Sequence, residues 1–148
     1  MDGTAAVEVL LVEDNAHDAE LTIRALRRRR LVNTIHVVED GADALDFLFC
    51  RGRHAGRAGT ALPKVVLLDV KLPKRNGLEV LRELRADEST HLLPIVMVTS
   101  SREDPDIATA YDLGANSYVV KPVDFEQFQE AMSAVGYYWL VVNQDPRR

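Results

Sequence analysis

One cysteine in 148 residues, Cys50, leaves no internal disulfide to be made. The chain therefore reads as a protein of a reducing compartment, the cytoplasm, with Cys50 packed in the interior. The first residues lack the basic, then apolar, layout of a secretory leader, and no apolar run approaches the roughly 20 residues needed to cross a bilayer. Basic residues are in the minority, 18 Lys and Arg against 23 Asp and Glu, for a net charge of −5. That balance argues against coating nucleic acid or anionic lipid and favours a protein partner or a cation. Neither a GxGxxG nor a Walker-type glycine loop follows the first candidate strand, so nucleotide binding has no support. The histidines His17, His36, His54 and His91 have no zinc-ligand spacing and read as surface or core residues. Repeats, low-complexity tracts and interdomain linkers are missing as well. The reading is one domain over 1–148, with a core of about 7–132 and a helical extension over 133–148.

What is present is an alternation of short β-rich apolar runs with helix-period segments, repeated five times, the pattern of βα units around a parallel sheet covered on both faces. The strand candidates are Val7 to Val12, Thr34 to Val38, Val65 to Leu68, Ile95 to Val98 and Ser117 to Val120. Behind Asn15, a good N-cap, Ala16, Ala19, Ile23 and Leu26 recur at helical spacing. Arg27 to Arg30 then complement the negative end of that helix, with a basic partner-binding patch as the second reading. A second helix spans about Ala42 to Cys50, followed by a long loop, Arg51 to Leu62, that is either mobile or in touch with a partner. Leu78, Leu81 and Leu84 mark a third helix, and Asp104-Pro105 starts a fourth. The last begins at Asp124, with Gln127 as a capping-box partner, and carries the stripe Phe125, Phe128, Met132, Val135, Trp139, Val142. Tyr137, Tyr138, Leu140 and Val141 add apolar surface off that stripe, which points to a homodimer or partner surface as well as core packing.

In a doubly wound sheet, ligands collect at the carboxyl ends of the strands. Here those ends read Glu13-Asp14, Asp69, Thr99-Ser100 and Lys121-Pro122. Three carboxylates, a hydroxyl and an ammonium would converge on one pocket. Crowded carboxylates need a cation or raised pKa values to persist, and a hard divalent ion such as Mg2+ is the natural answer. Asp14 and Asp69 are the direct ligands expected, with Glu13 acting through a water. An Asp69 oxygen could then attack a phosphoryl donor in line, with Lys121 neutralising developing charge and the Thr99 hydroxyl free to donate to the phosphate.

These residues resemble the receiver domains of bacterial response regulators over about Val7 to Met132. The likeness runs through Leu11-Val12-Glu13-Asp14-Asn15, Leu67-Leu68-Asp69-Val70-Lys71-Leu72-Pro73, Asn76-Gly77, Val98-Thr99-Ser100, Gly114-Ala115 and Tyr118-Val119-Val120-Lys121-Pro122. The resemblance implies a flavodoxin-like α/β fold, a doubly wound five-stranded parallel sheet of order 2-1-3-4-5 with five flanking helices and an extended C-terminal helix. It implies Asp69 as phosphoacceptor for a histidine kinase, Glu13, Asp14, Asp69 and the backbone carbonyl of Lys71 as the metal site for Mg2+ or Mn2+, Lys121 as the phosphate-contacting lysine, and Thr99 and Tyr118 as the switch. It also implies a cis peptide between Lys121 and Pro122, and a signalling face formed by the fourth helix, fifth strand and fifth helix.

A narrower likeness, to single-domain regulators of phytochrome-type kinases, rests on Asp40-Gly41-Ala42-Asp43-Ala44-Leu45-Asp46-Phe47-Leu48-Phe49, the loop that follows and the tail around Tyr138-Trp139-Leu140. It implies a bacteriophytochrome kinase as partner and pairing as a homodimer through that face and the last helix. With no output module after Arg148, the expected output is another protein, unless the domain serves as a phosphate sink or an intermediate phosphorelay carrier. Two departures, Ser100 for a common alanine and Asn76 for a common aspartate, leave the chemistry intact, while Lys71 and Ser101 flank the phosphoryl site and bear on its lifetime. A phosphohydrolase reading is disfavoured because Lys71 stands where such enzymes carry a general-acid aspartate, and an inert scaffold because every residue needed for phosphorylation is there.

Overall fold

The computed structural model describes residues 7–28, 30, 32 and 34–147. Five parallel strands, β1 (Val9–Val12), β2 (Ile35–Val38), β3 (Val65–Leu68), β4 (Ile95–Thr99) and β5 (Ser117–Val120), form one sheet of order β2-β1-β3-β4-β5. Five helices alternate with them: α1 (Ala16–Arg27), α2 (Gly41–Leu48), α3 (Gly77–Ala86), α4 (Asp104–Asp112) and α5 (Phe125–Tyr137). The expected doubly wound fold and strand order are both present.

Strand side chains alternate between faces, and the core divides accordingly. Leu10, Val12, Leu68 and Met97 join Leu45, Phe47, Leu81, Leu84 and Ala110 on one side. Val9, Leu11, Leu67 and Val96 join Leu26, Phe128 and Met132 on the other. The central strands β1 and β3 are thus apolar and buried throughout because both their faces are covered, while the edge strands β2 and β5 are largely half-buried and carry His36, Ser117 and Tyr118.

Caps set the helix starts. Asn15 accepts from the Asp18 N–H at 3.0 Å and Asp40 from the Asp43 N–H at 2.7 Å. Asn76 accepts from the Leu78 N–H at 2.7 Å while Glu79 accepts from the Asn76 N–H at 3.2 Å, so the reciprocal box expected at α5 is found at α3 instead. At α5, Asp124 accepts from Glu126 and Gln127, and among the described residues the return bond from Gln127 does not form.

Several expectations are corrected. Val7 precedes β1 rather than opening it. Ala16 faces solvent, and the buried face of α1 is Ala19, Thr22, Ala25 and Leu26. Cys50 is half-buried, because it follows α2 with a left-handed φ of 55° that carries the chain out of the core. The Lys121–Pro122 peptide is trans, the form most X–Pro bonds take in folded proteins. The 51–62 loop contains a 3-10 helix, Gly52–Arg57, seated on α2. His54 and Arg53 both bond Asp43, and the Arg57 guanidinium lies 3.6 Å from the Phe47 ring centroid. Of the Arg27 to Arg30 run, Arg27, Arg28 and Arg30 are exposed and Arg29 lies outside the described residues. After α5 the helix widens into a π-helical turn, Tyr138–Val142, and the tail returns beneath the sheet, where Arg147 donates to the Pro63 carbonyl at 2.9 Å.

Candidate functional site

The sheet order reverses at β1, whose neighbours are β2 and β3, and this opens a crevice at the carboxyl ends of β1 and β3. Every strand points the same way, so Glu13-Asp14, Asp69, Thr99 and Lys121, each just past or at its strand's last residue, arrive at one rim. The loop after β3 is drawn tight by the Gly77 N–H, which donates to the Val70 carbonyl at 2.8 Å. A Cβ on Gly77 would lie 2.0 Å from the Asp69 carbonyl oxygen, so only glycine lets α3 start this close to Asp69.

Glu13, Asp14 and Asp69 offer carboxylate oxygens all within 4.8 Å of one another. Asp14 is exposed while Glu13 and Asp69 are buried, so the cluster is open to solvent on one side. Lys121 reaches into it. Its Nζ bonds Glu13 Oε1 and lies 3.2 Å from Asp69 Oδ2. A third carboxylate, Asp18 on the first turn of α1, accepts from the same ammonium at 3.0 Å.

Burial pushes the Glu13 carboxyl up to about 7, against the opposing pull of Lys121 and with a further push from Asp69. For Lys121, burial disfavours the charge, but bonds and attraction from Glu13, Asp69 and Asp18 outweigh it and hold the ammonium above its usual range. The pocket is therefore an acidic cleft carrying one fixed cation. Its oxygen-only donor set, crowded and partly solvated, fits a hard divalent ion such as Mg2+ or Mn2+. Glu13 bonds Lys121 with one oxygen and the Asn15 N–H with the other at 3.1 Å, and Asp69 accepts from Lys121 and the Lys71 N–H over longer distances of 3.2 and 3.4 Å, which leaves the exposed Asp14 and then Asp69 as the less firmly held carboxylates.

On the far side, Thr99 is 1% exposed at the end of β4, and Thr99 Oγ1 accepts the Ser101 N–H at 3.3 Å. The Tyr118 hydroxyl donates to the Ser101 carbonyl at 3.0 Å. Burial raises the Tyr118 phenol above its usual value, and the bond to Ser101 partly opposes this. The structure thus gathers Glu13, Asp14, Asp69 and Lys121 in one cluster and links Thr99 to Tyr118 through Ser101. Lys71 is exposed beside the cleft, with its N–H 3.4 Å from Asp69 Oδ1.

Sequence reasoning missed Asp18. The available signal was its place four residues after Asp14, one turn into α1 and on the rim side of the helix start.

Comparison with known proteins decides the family. The description "response regulator receiver domain" matches residues 9–133. The chain belongs to the response regulator receiver family. A probable methanogenesis regulatory protein, FilR2, of Methanothrix harundinacea is 40% identical over 93% of this receiver and 86% of its own length. Among solved structures, the phosphorylated cyanobacterial phytochrome response regulator RcpA superposes with a TM-score of 0.88, is 32% identical, and covers 96% of this receiver and 99% of its own chain. The bacteriophytochrome response regulator RtBRR is 48% identical with a TM-score of 0.75, covering 97% of this receiver and 86% of its own chain. The receiver is therefore a homologue of phytochrome-associated regulators and a member of a signalling family. Among its described residues, no helix is long and apolar enough to cross a membrane.

Proposed function

We propose that this receiver takes a phosphoryl group on Asp69 from a sensor histidine kinase and thereby switches its α4/β5/α5 face to signal to a partner. The observation that carries the reading is the convergence of Glu13, Asp14 and Asp69 within 4.8 Å around an ammonium, Lys121, that lies 3.2 Å from the acceptor carboxylate. An Asp69 oxygen attacks phosphorus in line. The P–N bond to the donor histidine breaks, and the imidazole leaves with the bonding pair. Lys121 holds charge on an equatorial oxygen and Thr99 donates to another. Asp14, Asp69 and the Lys71 carbonyl, with Glu13 through a water, would hold Mg2+ or Mn2+, and the ion when bound supplies charge neutralisation and alignment. The enzyme-like chemistry is limited to self-catalysed phosphorylation and dephosphorylation.

The likeness to RcpA and RtBRR supports a phytochrome-type kinase as the donor, in a light-sensing phosphorelay. The same surroundings suit a phosphate sink or an intermediate carrier, and the 40% identity to FilR2 keeps other inputs open. The reading further takes the chain as one cytoplasmic domain that pairs with a second copy through the α4/β5/α5 face and the last helix.

Intact mass after incubation with Mg2+ and acetyl phosphate tests the chemistry. One added phosphoryl group is expected, dependent on Mg2+ and missing in Asp69→Asn. No addition there, together with no response to a beryllium fluoride titration, would leave an inert scaffold.

A further inference from the structure

Lys121 has three N–H donors, and the structure gives each a carboxylate: Glu13 Oε1, Asp18 Oδ2 at 3.0 Å and Asp69 Oδ2 at 3.2 Å. The three acceptors are not equivalent. Glu13 and Asp69 belong to the cluster whose oxygens lie within 4.8 Å of one another, and Asp18 does not. Whatever divalent ion enters that cluster pulls on Glu13 and Asp69, and phosphorylation would convert Asp69 into an acyl phosphate. Of the three acceptors, Asp18 is the one that belongs neither to the cluster nor to the phosphoacceptor.

Its own position is fixed by α1 rather than by the pocket. The Asp18 N–H is held by Asn15 Oδ1 at 3.0 Å, and its carbonyl accepts the Thr22 hydroxyl at 2.8 Å. The Asp18 side chain is 31% exposed against 9% for Lys121, so it stands at the mouth with the ammonium inside. The plain alternative is an acidic first-turn residue that merely complements the helix dipole. That role would not require its carboxylate to turn inward onto a lysine 103 residues away.

Resting on the phosphoacceptor reading above, we infer that Asp18 is a positioning residue for Lys121. From the mouth of the cleft it draws the buried ammonium toward α1, so that Lys121 is shared among three carboxylates and bears less heavily on Glu13 and Asp69, the two that a cation must use. Without Asp18, the ammonium shifts its weight to Glu13 and Asp69 and competes with the ion.

Mn2+ affinity, measured by the electron paramagnetic resonance of the free ion, tests this in wild type, Asp18→Asn, Lys121→Met and the double variant. Asp18→Asn should weaken Mn2+ binding by roughly three- to tenfold, less than for a fully buried charge-assisted bond because Asp18 is partly solvated. In the Lys121→Met background the same substitution should change affinity by less than about twofold, since no ammonium remains to be positioned. Asp18→Glu should recover most of the wild-type affinity. Equal losses in both backgrounds would mean that Asp18 acts only as a nearby negative charge, and no loss in Asp18→Asn would mean that it does not act at all. Either result overturns the inference while leaving the phosphoacceptor reading intact. Wild-type protein that fails to bind Mn2+ would instead overturn the acidic-cleft reading on which both rest.

Discussion

Thr99, Ser101 and Tyr118 form a short relay in which each link is one hydrogen bond. The Ser101 N–H is given to Thr99 Oγ1 at 3.3 Å, and the Ser101 carbonyl takes the Tyr118 hydroxyl at 3.0 Å. In the function proposed above, a phosphoryl group on Asp69 would add roughly two negative charges to the cleft and recruit the Thr99 hydroxyl. Moving that hydroxyl would remove one of two bonds that hold Ser101, whose own hydroxyl donates to Asp106 Oδ2 at 2.6 Å, and so would loosen the anchor of the Tyr118 ring. Thr99→Ala should still gain one phosphoryl mass on Asp69 with acetyl phosphate. The Tyr118 ring resonances, followed by NMR on adding beryllium fluoride, should shift less than half as far as in wild type. A full shift in the variant would exclude the relay.

A second cluster of titratable groups, His36, Asp43 and His54, is formed by β2, α2 and the 51–62 loop. The His36 ring stacks on Phe47 with centroids 4.6 Å apart, edges His54 at 5.9 Å, and buries an Nε2 that has no partner among the described residues. Burial, then the positive neighbours His54, Arg53 and Arg57, hold His36 below its ordinary value of 6.5, against the pull of Asp43. A depressed folded value means that the unfolded chain takes the proton first, so stability is lost as pH falls below 6.5 toward that lower value. His36→Leu removes this contribution. Its melting temperature should fall less than that of wild type between pH about 7 and 5, the range in which a histidine changes charge. Parallel pH profiles for the two proteins would show that His36 does not carry the effect.

The difference in legibility between these two clusters has a physical cause. Glu13, Asp14, Asp69, Thr99 and Lys121 could be placed together from sequence because parallel strands send all their carboxyl ends to one rim, so position along the chain fixes position in space. The meeting of His36, His54 and Asp43 depends on where a loop lies down on α2, and that is settled by Arg57 and His54 packing on Phe47. Asp18 falls between the cases. Its helix was legible, but the direction of its side chain depends on a lysine at the far end of the chain.

At the scale of elements, α2 is seated by one glycine. The Gly41 N–H donates to the Pro73 carbonyl at 3.4 Å, and a Cβ there would meet the Arg75 carbonyl oxygen at 2.0 Å. Alanine is intrinsically better in a helix by about 1 kcal/mol, yet this contact is with backbone that cannot swing away. A contact this short with backbone falls at the upper end of overpacking costs, about 3 kcal/mol, so the net loss is about 2 kcal/mol and Gly41→Ala should lower Tm by about 4–8 °C, by calorimetry. Gly56 is the control, since nothing lies within 4 Å of its Cβ direction. Gly56→Ala should leave Tm unchanged or slightly raised. Equal Tm values for Gly41→Ala and wild type would mean that the β3–α3 connection yields and is not rigidly set against α2. Strand cores were legible to within a residue or two because two-sided burial makes the central strands β1 and β3 apolar throughout and leaves the others mainly apolar. The stripe of α5 was read too far. Phe125 and Val142 keep its spacing but are 50% and 47% exposed, because the helix begins before the sheet covers it and outlasts the sheet at its end.

At the scale of the whole molecule, that uncovered surface belongs to a set of exposed large apolar side chains at both ends of α5. Val123 is 96% exposed at the start of α5, with Tyr111 and Phe125 nearby in the chain order of the α4/β5/α5 face. Tyr137, Tyr138, Val141 and Val142 are exposed at the other end. The tail past Val142 does not fold back over them. It runs beneath the sheet, tied by Arg147 to Pro63 and to Asp145. Aromatic and β-branched groups left in water at both ends of one helix suit a second copy, and a stable pair needs about 800 Å² of such surface per partner. Sedimentation velocity should show a dimer at tens of micromolar. A carboxylate buried in the contact would lack a partner, so Tyr138→Asp combined with Val142→Asp should weaken pairing by at least about tenfold. Phosphorylation of the double variant should proceed unchanged, since neither residue lies near the cleft. Wild-type protein that sediments as a monomer at high concentration, with and without acetyl phosphate, would assign these side chains to another partner and remove the homodimer from the reading.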